Sequence, residues 1–284
     1  MSNFSNKYLK TDFILNYVKI GKTKFFCYIC KIKIKIMNVL RINENPLSFL
    51  GDIHGNWSII QNHFEKNDIS NTNLIQVGDF GIGYKKKDEE SSLLKELSSN
   101  LKKRNNFLYI IRGNHDDPSY FQASNVDLYS NIIFLQDYSI LQNSIHNILC
   151  VGGAVSIDRR VSKEQSIVIG RNLWWEDEKF DYNEVEIDNI LEKLHIDIVV
   201  THTAPKIFYP QNFNNIVNHY AKDDAMLIYD LTLERNLVQN LYEKFYDKMM
   251  PQYWFYGHFH ASKTENVEEK VIAKLLNIEE FYYL

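Results

Sequence analysis

The chain has 284 residues, 45% of them apolar and 24% charged, the balance of a globular protein rather than a disordered or fibrous one. Its net charge of −4 is uneven: residues 1–36 carry eight Lys against one acid, Asp12, a net +7, which leaves 24 basic and 35 acidic residues, a net −11, in the remainder. No apolar run reaches the roughly 18 residues of a membrane helix, and three Cys cannot close a disulfide framework, so the expectation is a soluble, cytoplasmic protein with no membrane partner.

Residues 1–36 read as a basic extension, and residues 37–284 as the main domain beginning at Met37. Cys30 to Ile36 alternates strictly, the pattern of a strand with one apolar face. Cys27 and Cys30 form a lone CxxC, two ligands short of a zinc site. A basic arm beside an acidic body is compatible with nucleic acid as a partner.

From residue 47 short apolar runs end in turn residues. Leu47 to Leu50 precedes Gly51-Asp52, Leu74 to Val77 precedes Gly78-Asp79, and Phe107 to Ile111 leads to Gly113-Asn114. Ile148 to Val151 precedes Gly152-Gly153, Ile196 to Thr201 precedes His202, and Tyr253 to Tyr256 precedes Gly257-His258. These are predicted strands buried on at least one face. Helical spacing predicts helices over Trp57 to Lys66, Asp88 to Lys103, Glu186 to Leu194 and Asp223 to Lys248. Strands alternating with helices indicate an α/β domain.

Metal-type side chains recur where these strands end. Asp52 and His54 lie in Gly51-Asp52-Ile53-His54-Gly55, Asp79 follows Gly78, and Asn114, His115 and Asp116 follow Gly113. His202 follows the next strand, and His258 and His260 follow the last. Carboxylate, amide and imidazole donors together suit Mn, Fe, Zn or Ni rather than calcium. Such donors are too many for one transition metal and suit two. His63, His146, His195 and His219 lack this context and read as ordinary packing or surface residues.

The ordered set GD-x-HG, GD, GNHD, a His after a strand and GH-x-H resembles the calcineurin-like metallophosphoesterase superfamily from about residue 47 to 260. The resemblance implies a four-layer αββα sandwich of two mixed β-sheets flanked by helices, here with the short N-terminal extension. It implies two divalent metal ions, Mn favoured, with Asp52, His54 and His260 on one, Asn114, His202 and His258 on the other, and Asp79 bridging both. A hydroxide shared by such a pair would attack phosphorus, and His115 would protonate the leaving oxygen. Asp116 is read as orienting His115 or capping the segment before Pro118, and Arg112 as an ion-pair or packing residue. Arg159 and Arg160 are candidate substrate-phosphate ligands, because guanidinium forks suit phosphate. Trp174 and Trp175 read as buried aromatics, and Lys85 to Lys87 as a solvated loop.

Protein phosphatases of the superfamily extend the second motif to GD-x-x-D-R-G. Here Asp79 is followed by Phe80-Gly81-Ile82-Gly83-Tyr84, which argues against that class and against the bis-nucleoside tetraphosphate hydrolases. The expected activity is hydrolysis of a phosphodiester in a nucleotide, cyclic nucleotide or nucleic-acid end. The alternatives are a phosphomonoesterase, or a binding scaffold of the same fold without turnover.

Overall fold

The computed structural model describes residues 37–122, 129–210, 214–246 and 248–284. The basic arm, its alternating segment and the CxxC lie outside the described residues. In chain order the strands are β1 (Val39–Arg41), β2 (Leu47–Leu50), β3 (Asn73–Gln76), β4 (Phe107–Ile110), β5 (Ile132–Phe134) and β6 (Ser139–Gln142). They continue with β7 (Asn147–Val151), β8 (Ile198–Thr201), β9 (Tyr253–Tyr256), β10 (Lys263–Val267), β11 (Val271–Leu275) and β12 (Phe281–Tyr283). The helices are α1 (Ser58–Lys66), α2 (Lys87–Lys103), α3 (Arg159–Ile169), α4 (Glu184–Leu191), α5 (Asn215–Ala221) and α6 (Leu227–Glu243).

Two mixed sheets result. One has seven strands in the order β1-β6-β7-β8-β9-β11-β10, the other five in the order β12-β2-β3-β4-β5. Strands β2 to β5 run parallel, as do β7, β8, β9 and β11, while β12 and β10 pair antiparallel at edges.

The period-2 alternation of each central strand sorts its side chains into three cores. Phe49, Ile75, Val77, Tyr109 and Ile111 of the five-stranded side meet Ile148, Cys150, Ile198, Val200 and Phe255 of the seven-stranded side. The alternate residues Leu50, Leu74, Leu108 and Ile110 face Ile60 and Phe64 of α1 and Leu94, Leu97 and Leu101 of α2. On the far side Leu149, Val199, Trp254 and Tyr256 face Ile187 and Ile190 of α4 and Val238, Leu241 and Tyr242 of α6. Three cores between four layers are the αββα sandwich. Because both faces of each central strand are covered, these strands read as continuous apolar runs. No described helix is long and apolar enough to cross a membrane.

The helix expected over Asp223 to Lys248 is shorter, Leu227–Glu243, because the Asp224 carboxylate accepts from the Met226 N–H and holds a turn there. Helix α3 was not expected. It buries only Arg159 and Ser162 and leaves Ile167, Val168 and Ile169 exposed, so it carries no apolar stripe.

The rings of Phe49 and Phe255 stack across the sheet–sheet core at 3.6 Å, both fully buried. Phe255→Ala should destabilise the domain by about 3–5 kcal/mol through lost burial and a cavity, read as a lower urea midpoint. A change below about 1 kcal/mol would mean that this contact does not hold the sheets together.

Candidate metal centre

Parallel strands put their carboxyl ends on one edge, where ligands gather in α/β folds. The loops after β2, β3, β4, β8 and β9 carry Asp52 and His54, Asp79, Asn114 and His115, His202, and His258 and His260. All seven residues expected as ligands converge there. Donor atoms of Asp52, His54, Asp79 and His260 lie within 4.8 Å of one another, and so do those of Asp79, His202 and His258. Asn114 joins the second group, its Oδ1 3.1 Å from His202 Nε2.

The convergence needs backbone that side chains would block. Gly78 has φ +99°, and a Cβ there would collide with the His202 imidazole. A Cβ on Gly257 would collide with the Asp52 carboxylate. Four candidate ligands also take left-handed backbone: His54 (φ 44°), Asp79 (φ 56°), His258 (φ 69°) and His260 (φ 49°). Such conformations cost roughly 1–3 kcal/mol each and persist where surrounding structure over-determines them.

Hydrogen bonds supply that determination. The Asp79 carbonyl accepts from Ile53 N–H and His54 N–H, and the Phe80 carbonyl from Gly55 N–H, which ties the first two loops. Asp79 Oδ1 accepts from His115 N–H at 2.8 Å, and both Asp52 oxygens accept from His258 N–H at 3.1 and 3.2 Å. Asp116, fully buried, accepts from four backbone N–H groups: Gly81 and Ile82 on Oδ1, Phe80 and Gly113 on Oδ2. It therefore joins the second and third loops and does not touch the His115 ring. Burial, with Asp79 nearby, raises its pKa to about 6.

The donor set fits divalent cations. The ring nitrogen Nδ1 of His202 bonds the Val77 carbonyl at 2.8 Å, which makes Nδ1 the protonated nitrogen and leaves the Nε2 lone pair facing inward. That nitrogen lies 3.1 Å from Asn114 Oδ1 and 3.2 Å from Asp79 Oδ1 and can offer a cation its lone pair or give these oxygens a proton. Nearby, His54 Nε2 faces His260 Nε2 at 3.0 Å. Donors this close need positive charge between them, a cation or, without one, a proton on an imidazole. Titration directions agree. Burial lowers the His202 pKa, but Asp79 outweighs it and lifts it to about 9. Burial likewise raises the Asp79 pKa, but His202, His115 and His54 hold it well below the carboxylate range. Burial and the His202 charge push His258 well down, which leaves it a neutral donor.

A second layer fixes Asn114. Its Nδ2 donates to Ser156 Oγ at 2.9 Å, which turns Oδ1 toward His202. Ser156 donates to Glu178 through Oγ at 2.6 Å and N–H at 2.9 Å. Arg112 is an ion-pair residue, 2.8 Å from Asp137, and it also donates to the carbonyls of Asp177, Glu178 and Lys179. It thereby pins the segment that places Glu178. Ser156 lies in the Gly152-Gly153 turn that the sequence marks, but no motif points to Glu178.

His115 lines a cavity that opens from the cluster. Its Nδ1 is 2.9 Å from the Tyr84 hydroxyl, which donates its one proton to the Leu173 carbonyl at 3.1 Å. The phenol oxygen is thus an acceptor for Nδ1–H, and Nε2 is the nitrogen left for the cavity. Burial and nearby Asp79 push the Tyr84 pKa up, so the phenol stays neutral. Sequence reading missed Tyr84, because the residue stands where the protein-phosphatase motif has other residues.

Arg159 and Arg160 are not brought to the cluster. Arg159, 7% exposed, forks to Asp224 and Asp230 at 2.5 Å each, tying α3 to α6. Arg160 is exposed, pairs with Glu164 at 3.2 Å and bonds the Asp223 carbonyl. Their guanidinium groups are committed to acids and backbone, and neither lines the cavity. Trp175 is buried against Tyr84, and Lys163 lies over the Trp174 ring at 3.6 Å.

The family model for calcineurin-like phosphoesterase matches residues 46–262. No curated protein matches the chain. Among solved structures, TT1561 of Thermus thermophilus is similar at 11% identity and a TM-score of 0.45, over 84% of this chain and 98% of that one. The 5'-nucleotidase of Candida albicans SC5314 is similar at 13% identity and a TM-score of 0.41, over 84% of this chain and 46% of the nucleotidase. A predicted phosphoesterase of Streptococcus pneumoniae TIGR4 is similar at 10% identity and a TM-score of 0.30, over 84% of this chain and 74% of that one.

Asp116→Asn replaces an oxygen that accepts two N–H groups with an NH₂ that opposes them. It should destabilise the domain by at least about 2 kcal/mol and lower bound metal, read by urea unfolding and elemental analysis. Unchanged stability and metal content would show that Asp116 does not hold the loops.

Proposed function

This chain belongs to the calcineurin-like phosphoesterase family, a family of metal-dependent phosphoester hydrolases, and on that premise we propose that it hydrolyses a small phosphodiester. The observation that carries the reading is the convergence of Asp52, His54, Asp79, Asn114, His202, His258 and His260, of which Asp79, Asn114, His258 and His260 line one cavity together with His115. Asp52, His54 and His260 would hold one cation, Asn114, His202 and His258 the other, and Asp79 both, with manganese favoured and iron, zinc or nickel as alternatives. Two such cations supply Lewis-acid charge to phosphoryl oxygens and acidify water.

The protein's own residues do the rest. A new bond would form between water oxygen and phosphorus as the ester P–O bond breaks. His115, carrying a proton on each nitrogen, would donate from Nε2 to the departing oxygen and be restored by the proton the attacking water gives up, while Tyr84 accepts from Nδ1–H and keeps the ring aimed. A diester is favoured over a monoester by charge: among the described residues Arg235 is the one Lys or Arg lining the cavity, and Asp158 lines it too. A singly charged diester suits that wall better than a monoester dianion.

Asp79→Asn tests the reading. Manganese-loaded protein should lose at least about 10³-fold in turnover of bis(para-nitrophenyl) phosphate, and its metal content should drop from two ions toward one or none. Near-normal turnover with two ions bound would sink the assignment.

His115→Ala should keep both ions. It should lose about 10²- to 10⁴-fold on an ester with an alkoxide leaving group, and much less with nitrophenolate, which departs without a proton. Tyr84→Phe should show the same leaving-group dependence at about fivefold, the worth of one hydrogen bond. Equal losses on both leaving groups would replace the proton-donor role with phosphate binding.

A further inference from the structure

We propose that Glu234 of α6 is a positioning residue for the second cation, holding His202 and Asn114 in place from behind through Thr203 and Val155. The inference rests on the two-cation reading of the centre and adds a residue that touches neither cation nor substrate.

Helix α6 gives the first observation. Its buried residues are Leu227, Leu231, Glu234, Val238, Leu241 and Tyr242. Spacings of three and four put Leu227 to Leu241 on one face. Glu234 is the one carboxyl in that apolar stripe, and at 3% exposure it is buried like its neighbours. A carboxyl in such a position weakens folding unless its hydrogen bonds are met. Departures of this kind from an apolar pattern gather where function requires them.

The second observation is what meets the carboxyl. Glu234 Oε2 accepts from Val155 N–H at 2.6 Å, and Oε1 accepts from the Thr203 hydroxyl at 3.1 Å. Thr203 follows His202 in the chain. Its carbonyl accepts from the Thr201 hydroxyl at 2.6 Å, and Thr201 Oγ1 accepts from Trp254 Nε1 at 2.9 Å. Both chain neighbours of His202 are therefore fixed, one by Trp254 of β9 and the other by Glu234 of α6. The imidazole between them, fully buried, keeps Nδ1 on the Val77 carbonyl and Nε2 toward Asn114.

The third observation lies in the loop after β7. Val155 precedes Ser156, whose Oγ accepts from Asn114 Nδ2. Glu234 holds the Val155 amide and Glu178 the Ser156 amide, so two buried carboxyls secure consecutive peptide units. The Val155 side chain also packs with Leu227 and Leu231 of α6. One carboxyl thus braces the two loops on which the His and the Asn of the second cation depend.

Burial raises the Glu234 pKa to about 8. What the residue offers is therefore its pair of hydrogen bonds rather than a fixed charge. Glutamine can make both, with its carbonyl for Val155 N–H and its NH₂ for Thr203 Oγ1. An apolar side chain can make neither, but it completes the stripe.

The test titrates metal-free, full-length protein with manganese by calorimetry, with elemental analysis for stoichiometry and urea unfolding for stability. Wild-type protein should take up two ions. Glu234→Met should stay folded, with a urea midpoint close to wild type, and bind the second ion about 10- to 100-fold more weakly, the usual loss when the outer hydrogen-bond partners of a ligand are removed. Glu234→Gln should stay within about threefold of wild type. Thr203→Val should weaken the second ion by about fivefold and add little on top of Glu234→Met, because both remove the same hydrogen bond.

A folded Glu234→Met protein that binds both ions as wild type does would overturn the proposal. So would equal weakening by Met and Gln, which would assign the effect to charge. Loss of the urea midpoint together with both ions, in the Gln variant as well, would make Glu234 a folding residue only. If wild-type protein takes up fewer than two ions, the two-cation reading fails, and metal-free protein decides the rest. There the Nδ1–H proton of His202 should be visible by NMR in wild type and Glu234→Gln and lost in Glu234→Met, which would leave Glu234 as the residue that holds His202. Its persistence in Glu234→Met would remove that role too.

Discussion

Asp79 is a carboxylate with 1% exposure, held at the meeting point of five loops, and the arrangement around it is tolerable only if positive charge sits there. Taking a carboxylate from water into a protein interior costs several kcal/mol unless it is paired. Its neighbours answer with imidazoles rather than Lys or Arg: His202 at 3.2 Å and His54 at 3.9 Å. Imidazoles can hold a proton or offer a lone pair to a cation. Such a cluster is therefore adjustable in a way that a fixed ion pair is not. The same demand explains the strained backbone. Left-handed turns at His54, Asp79, His258 and His260 aim side chains inward that extended strands would send to alternate faces.

That strain is held by structure outside the cluster. Asp116 collects four amides from two loops, and the run from Arg112 through Glu178 and Ser156 ends on the amide of Asn114. Each member is buried or nearly so, where an unmet donor or acceptor is expensive. The sheets contribute at longer range. Parallel pairing sets the carboxyl ends of β2, β3 and β4 on one edge, and of β8 and β9 on the edge facing it. The rings of Phe49 and Phe255, packed between the sheets, lie within a few residues of Asp52 and His258 and fix how closely those edges approach.

Much of this was legible in the chain because it is local. Central strands covered on both faces must be apolar, so each was visible as a run, and four of the six runs ended in a Gly next to a polar ligand-type residue. The edge strands β1, β5, β10 and β12 were not visible. They are short or partly exposed, and β1 and β12 pair with partners far away in sequence. Helix α3 escaped for a related reason, since its buried face is an Arg and a Ser rather than an apolar stripe. Arg159 shows the limit of residue-type reasoning. A guanidinium suits phosphate and suits two aspartates equally well, and only the fold reveals that Asp224 and Asp230, 65 and 71 residues away, reach it first. Arg235 carries no motif at all and lines the same cavity as His258 only because α6 brings it there.

Tyr84 draws the electrostatic and positional arguments together. The ring of His115 needs a partner on Nδ1 to keep Nε2 toward the cavity, and a carboxylate would do this while adding negative charge. Asp79 and Asp116 already crowd the spot, and each feels the other: Asp79 contributes to the raised pKa of Asp116. A phenol avoids that conflict. Burial keeps it neutral, its proton goes to the Leu173 carbonyl, and the oxygen it leaves open accepts from the imidazole. The loop can deliver it because Gly81 and Gly83 take positive φ, and because Gly83 N–H is anchored on Glu90 at 2.7 Å. The residues that follow Asp79 thus orient the His115 ring beside a buried acidic cluster without another buried charge.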